Sequence, residues 1–308
     1  MMNSRKFFPF LRLDYLTMSF YLLKLLIDKK DRFCLLKNLG KLEMGSTTGA
    51  NRFFYLDRKI IEKYGIPDEY LYPMTKSPKE WRTILSPSKE LKYFLHIPKN
   101  LSKDSSIKLR DYLNKIQYDI LKRPYFKNKT KNNWYQVPLV QPEIIIPNMI
   151  FKRSFVVYNL DKLHIDKQWI GFWSNNQDWL FLILAFLNST LGILLREVQG
   201  TRTLGLGSLK LSLQECHNLL VLDPRKIPES LFTQFQTYIL KLGEMKIEPI
   251  HQTQDSISEY TKIQKQLDYL VIVKCLGLDP TEIRKIQEIL KFELQWRFAK
   301  EKKRKLNL

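Results

Sequence analysis

Residues 45–56 read GSTTGANRFFYL, a short polar loop with two glycines that runs straight into an aromatic segment. Gly45 and Gly49 permit backbone angles that other residues resist. Ser46, Thr47, Thr48 and Asn51 offer short hydrogen-bonding groups. Phe53, Phe54 and Tyr55 favour a pleated, half-buried run, so FFYL is expected as a strand. Alone, the stretch reads as a phosphate cradle, an ordinary turn or a loop that reads a ligand. The rest of the chain has to decide among them.

Further strands are expected in KYFLHIP (92–98), EIIIPNMIF (143–151) and RSFVVYNL (153–160), which are rich in aromatic and branched residues. IKLRDYLNKIQYDIL (107–121) has apolar residues at helical spacing. Prolines at 67, 73, 78 and 87 punctuate the region between. Residues 1–35 read as a helical lead-in. After a break at DPRKIPES (223–230), the spacing predicts a helix over 231–242. A polar linker follows, then two helices from 257 joined by LGLDPTE. Pro280 suits the first turn of the second helix, with Asp279 as its cap. The whole is an α+β chain in three parts, 1–35, 36–225 and 226–308, closing on the basic tail RFAKEKKRKLNL.

The 308 residues include 51 Lys+Arg against 31 Asp+Glu, a formal net charge of +20. That excess predicts an anionic partner, nucleic acid before acidic membrane. A hydrophobic share of 44% is enough for a sizeable core. Cys34, Cys216 and Cys275 are far apart, which supports neither a zinc site nor a disulfide framework and fits a reducing cytoplasm. LTMSFYLLKLLI (16–27) is short for a membrane span. WLFLILAFLNSTLGILL (179–195) is broken by Asn188, Ser189 and Thr190, and is expected as a buried helix. Arg12 and Asp14 interrupt any signal-peptide core.

Familiar catalytic signatures are missing. The chain has no GxxxxGK[ST], no dinucleotide fingerprint, no GxSxG and no adjacent prolines. Its four histidines are scattered without ligand spacing. What the chain does carry is cations interleaved with aromatics. Between Asp119 and Glu143 no acid intervenes, while Lys122, Arg123, Lys127, Lys129 and Lys131 lie among Tyr125, Phe126, Trp134 and Tyr135. Cations neutralise phosphates and aromatics stack on bases; a solvated lysine loop with core aromatics at each end reads as well. Lys152 and Arg153 form a second basic stretch. A third lies after the apolar helix, where Arg202 sits on a glycine-rich loop and Lys210 on the strand behind it. Arginine can bond a guanine edge bidentately, or Gly200 can simply stop the helix.

In order, LGKLEMGSTTGANRFFYL, GIPDEYLYPMTKSP, the Arg-Pro-Tyr to WYQVP segment, IIIPNMIFKRSFVVYN and LNSTLGILLREVQGTRTLGLGSLKLS form a recognisable series. It resembles the C-terminal target-recognition region of N6-adenine DNA methyltransferases of restriction-modification systems, the TaqI-like specificity domain. FPFLRLDYLTMSFYLLK looks like the connector behind the catalytic domain of such enzymes. LDYLVIVKCLGLDPTEIRKIQEILKFELQWR looks like their helical C-terminal segment. The resemblance implies a mixed-strand DNA target-recognition domain with flanking helices, and a prokaryotic host. It departs from the family in lacking the N-terminal domain that binds S-adenosylmethionine and holds the Pro-Pro loop.

The resemblance therefore implies a DNA-reading half that acts with a separate catalytic methyltransferase domain or subunit. Double-stranded DNA is the expected partner, and no membrane. No cofactor is expected in this chain, S-adenosylmethionine belonging to the catalytic partner. GSTTGANRFF becomes the loop that opens the recognition domain, in which Thr48, Gly49 and Asn51 either face DNA or shape the turn. The expected DNA contacts are Thr48, Asn51, Arg123, Lys127, Lys129, Lys131, Trp134, Tyr135, Lys152, Arg153, Arg202 and Lys210, with Arg202 and Asn51 reading base edges. Two alternatives stand beside this reading. A type I specificity subunit would usually carry two recognition domains separated by long helices. A stand-alone nuclease would need a carboxylate cluster, for which Asp57 with Glu62 or Glu143 with Lys152 are the available pairs.

Overall fold

Trp169–Ser174 (β10) is apolar on both faces at its start, as a central strand must be. In the computed structural model, which describes residues 18–85, 87, 91–98, 107–126, 134–202, 207–250 and 258–306, β10 is the hub of the main sheet. It pairs antiparallel with Gly40–Met44 (β2), Ile170 facing Met44, and with Ile144–Pro147 (β6), Ile170 facing Ile146. Val157–Tyr158 (β8) extends the sheet beyond β6. A second sheet runs Tyr55–Leu56 (β3), Lys92–Leu95 (β5), Leu71–Thr75 (β4), His164–Ile165 (β9). Its last pairing is parallel, Met74 with His164, and β9 leads directly into β10, so the two sheets share a corner. Two small antiparallel pairs complete the strands. Phe33–Leu35 (β1) lies on Leu220–Leu222 (β12), and Met149–Ile150 (β7) on Leu209–Lys210 (β11).

The helices are Met18–Asp28 (α1), Asn51–Phe54 (α2), Arg58–Tyr64 (α3), Ile107–Leu121 (α4), Leu180–Asn188 (α5), Thr190–Gln199 (α6), Leu213–His217 (α7), Phe232–Gly243 (α8), Glu259–Tyr269 (α9) and Thr281–Leu306 (α10). The apolar stretch expected as one buried helix is two, α5 and α6, bent by 70° at Ser189. Ser189 caps α6 by accepting the Gly192 N–H, and Asp268 of α9 accepts the Thr190 N–H at 2.7 Å. A side chain at Gly192 would meet the Phe186 carbonyl, so only glycine allows the bend to close. Among the described residues no single helix is long and apolar enough to cross a membrane; the bent pair meets that test only as a pair, and it is buried in the core.

Two cores result. The smaller gathers Phe53, Phe54, Phe94, Tyr112, Phe126 and Trp134 around the second sheet and α4. The larger takes Leu22 and Leu26 from α1, the main sheet, α5 and α6, and the apolar faces of α8, α9 and α10. Packing thus unites the three stretches divided at 35 and 225, because the C-terminal helices bury their apolar faces on α5 and α6. FFYL departs from the strand expectation. Phe53 and Phe54 close the one-turn α2, and only Tyr55 and Leu56 pair as strand. A strand would send the two phenylalanines to opposite faces. The turn keeps both in one core, Phe53 stacked 5.0 Å from Tyr112 and Phe54 beside Phe94. At the C-terminal end, α9 widens into a π-helix at Leu270–Cys275 and turns on Gly277 in the left-handed region. Asp279 accepts the Thr281 N–H and so caps α10, as expected.

Candidate nucleic-acid interface

The opening loop sits at the corner between the two cores. Gly45 and Ser46 donate to the carbonyls of Trp169 and Ile165, and the Ser46 hydroxyl donates to Pro138. Thr48 is fully buried; its Oγ1 accepts the Ala50 N–H at 3.0 Å and bonds Asn51 Oδ1 at 2.5 Å. Asn51 donates to Asp166, which also accepts the Tyr55 hydroxyl at 2.6 Å. Burial, then Asp166, holds the Tyr55 phenol well above its ordinary pKa, so it stays a donor. Thr48 therefore shapes the turn, and Asn51 is tied inward. The loop's outward parts are Thr47 and Gly49. The Tyr125 hydroxyl donates to the Thr47 carbonyl at 3.0 Å, and Arg123 reaches the Gly49 carbonyl at 3.5 Å.

From this loop a ribbon of main chain runs across the surface. Lys167 N–H donates to Ser46 O, and Asn148 N–H to Gln168 O at 2.9 Å. Met149 pairs with Lys210, and Lys210 exchanges both main-chain bonds with Thr201. Five segments separated in sequence are thereby laid side by side: 47–49 with 123–125, then 167–168, 148–149 and 209–210. Thr47, Arg123, Tyr125, Lys167, Gln168 and Lys210 are all exposed along it. Beneath it His164 stacks on Phe94 at 3.7 Å and accepts the Val140 N–H through Nδ1. Burial, then His96, pushes its pKa down to about 3 against that bond, so the ring is neutral support.

The other expected residues fall into three groups. Lys127, Lys129 and Lys131 lie outside the described residues. Arg123, Lys152 and Lys210 are exposed. Trp134 is core, packed on Phe53 and Phe126, and Tyr135 is half-buried against it, so the aromatics ending the lysine loop are anchors rather than stacking platforms. Arg153 is partly buried and donates to Trp81 O at 2.7 Å and Pro78 O at 2.9 Å. Arg202 does not extend toward a base edge. It pairs with Glu293 at 2.5 Å, donates to Glu197 O and lies over the Trp296 ring. Nothing near residue 202 in sequence announces Glu293 and Trp296, which stand on α10 some ninety residues later. Two of the three carboxylates weighed for a nuclease are also accounted for. Asp57 caps α3, and Glu143 accepts from Ser174 N–H and from Gln177. No group of three or more potential metal ligands occurs among the described residues.

Lys167, Gln168 and Asn148 were not singled out by sequence. Their only signal is a polar pair between two strands, IDKQW, and an Asn after a proline-ended strand; their placement beside the opening loop is a tertiary fact.

The fold is one found within restriction-modification enzymes. The type IIG restriction endonuclease BpuSI matches with a TM-score of 0.62 at 14% identity, over 90% of this chain and 33% of that one. The type IIL restriction-modification enzyme MmeI, solved in complex with DNA, matches with a TM-score of 0.46 at 13% identity, over 86% and 33%. The chain thus spans about a third of the length of each. A family model, the C-terminal domain of the type II methyltransferase M.Eco57I, matches residues 15–258, and the chain belongs to that family. No curated protein gives a match.

Proposed function

We propose that this chain reads duplex DNA for an adenine-specific N6 methyltransferase of a restriction-modification system. The observation that carries the reading is the surface ribbon, which sets Arg123, Lys167 and Lys210 beside Thr47, Gln168 and Asn148. Cations of this kind engage phosphates and set register, while amides read base edges, Asn and Gln suiting adenine. The charge of +20 supports an anionic partner of this size. Lys152, at the ribbon's edge, and Lys127, Lys129 and Lys131 add phosphate contacts. S-adenosylmethionine and the methyl-transfer chemistry belong to a catalytic domain or subunit, for which the target adenine is taken out of the stack. The setting is the prokaryotic cytoplasm.

Selection of bound duplexes from a random pool at near-physiological salt tests the reading. An enriched motif containing adenine supports it. Salt-sensitive binding without any motif would remove the sequence-reading part.

A further inference from the structure

Beside the ribbon lies an open hollow of about 300 Å³, of whose side chains the proposed reading uses only Lys152. Its apolar walls are Pro78, Met149, Phe151, Phe155, Gly207 and Phe298. Its cations are Lys79, Lys152 and Arg153, and among the described residues no carboxylate lines it. Phe151, one of those walls, is 49% exposed. Its main chain is nevertheless fixed, since buried Arg297 donates to the carbonyls of Phe151 at 3.0 Å and Gly207 at 2.8 Å, pinning two walls at once. Arg153 is likewise held, with its guanidinium 5.3 Å from the Phe155 ring centre. A half-exposed ring on a fixed backbone is a platform set in advance for a flat apolar ligand. Three cations, with no acid among the described lining residues, call for an anion on that ligand.

A flat ring carrying an anion is the chemistry of a nucleotide. Met149 belongs both to the hollow and to the ribbon, where it pairs with Lys210. We infer that the Phe151 hollow receives a base unstacked from the DNA strand that the ribbon tracks, with Lys79 and Lys152 on its flanking phosphates; this rests on the DNA-reading proposal. Aromatic stacking and cationic tracking together are how proteins hold unpaired bases.

The test uses the full chain and two duplexes of one sequence, one fully paired and one with a single extrahelical adenine, with Kd read by fluorescence anisotropy. The expected result is about tenfold tighter binding of the bulged duplex, within the range for stacking one base. Phe151→Ala is expected to erase that preference while leaving the paired duplex unaffected, and Phe151→Trp to keep it. Equal affinity for both duplexes, or a preference that survives Phe151→Ala, overturns the inference while leaving DNA reading intact. Absence of binding to either duplex at low salt overturns DNA reading and this inference together. Adenosine monophosphate carries the same chemistry: a saturable complex with it, and no preference between duplexes, assigns the hollow to a free nucleotide and overturns the DNA base.

Discussion

Arg297 of α10 donates to Glu197 of α6 at 2.9 Å, and the two side chains are 1% and 0% exposed. The same guanidinium holds the carbonyls of Phe151 and Gly207, so one buried ion pair joins the C-terminal helix to the hollow beside the ribbon. Burial raises the Glu197 pKa and lowers that of Arg297, each opposed by the other's charge. Removing one partner strands a buried charge, which costs about 3–5 kcal/mol, whereas removing both costs much less. Arg297→Met should therefore lower unfolding free energy by about that amount, and adding Glu197→Gln should recover part of it. Urea unfolding of the two single variants and the double checks this. Strictly additive losses would mean the pair does not act as one unit.

Asp268 supplies a pH dependence. Burial lifts its carboxyl from 3.8 to about 6, opposed by hydrogen bonds from Thr190, Gln264 and Gln287. Between about pH 4 and pH 6 the folded chain keeps a proton that the unfolded chain has lost, so stability from this group falls as pH rises through that window. At about 1.4 kcal/mol per pK unit the swing is about 3 kcal/mol. Asp268→Asn should remove it, so the variant should gain on the natural protein by about that much between pH 4 and pH 7. Thermal melts of both across the range provide the measurement. Parallel curves would show that the carboxyl ionises near its ordinary pKa.

Arg202 shows where the sequence was legible and where it was not. Helical spacing is local information, and α4 occupies 107–121 as its apolar residues require. The Asp279 cap is equally local. The 179–195 run was legible as buried, but its 70° bend depends on Gly192 meeting the end of α5. Basic and aromatic residues were read as DNA contacts from their interleaving and from the family resemblance, and neither can tell a stacking ring from a core ring. Trp134 is core because Phe53, distant in sequence, closes over it together with Phe126. Lys167 and Gln168 passed unnoticed because only the pairing of β2 with β10, continued by the main-chain bonds of Ser46 with Ile165 and Lys167, carries them to the opening loop.

For Arg202 the consequence is specific. With Glu293 and Trp296 as its partners, Arg202→Ala should destabilise the α6–α10 junction by about 2 kcal/mol, in the range of a broken partly buried network. The DNA motif recovered by selection should not change. A relaxed motif with unaltered stability would show that Arg202 leaves Glu293 to reach a base.

Gly49 adopts a φ of +68°, and a side chain there would run into the Tyr125 ring at 2.0 Å. The ring lies over Gly49 while its hydroxyl holds Thr47, so the close approach is part of the loop's shape. Gly49→Ala should cost about 1–3 kcal/mol from the left-handed backbone and the displaced ring. It should also weaken DNA binding by loosening Thr47. Tyr125→Phe, which keeps the ring and loses only the hydroxyl, should leave stability within about 1 kcal/mol. Equal stability of Gly49→Ala and the natural protein would mean the turn can open without loss.

Lys167 and Lys210 separate phosphate contact from sequence reading along the ribbon. Both are exposed, Lys167 in the turn between β9 and β10 and Lys210 at the end of β11, on main chain held by hydrogen bonds, so substitution should leave the fold intact. A cation that neutralises one phosphate contributes about one unit to the slope of log affinity against log salt. Lys167→Ala and Lys210→Ala should each flatten that slope by about one and weaken binding alike on every sequence. Gln168→Ala, on the neighbouring residue, should leave the slope unchanged and relax the selected motif at one position, a loss of about 1–3 kcal/mol in discrimination. Titrations at four or more salt concentrations on specific and scrambled duplexes resolve the two behaviours. If the lysine variants lose discrimination without changing the slope, the cations are reading bases and the phosphates are held elsewhere. If none of the three changes anything, the DNA does not lie on the ribbon.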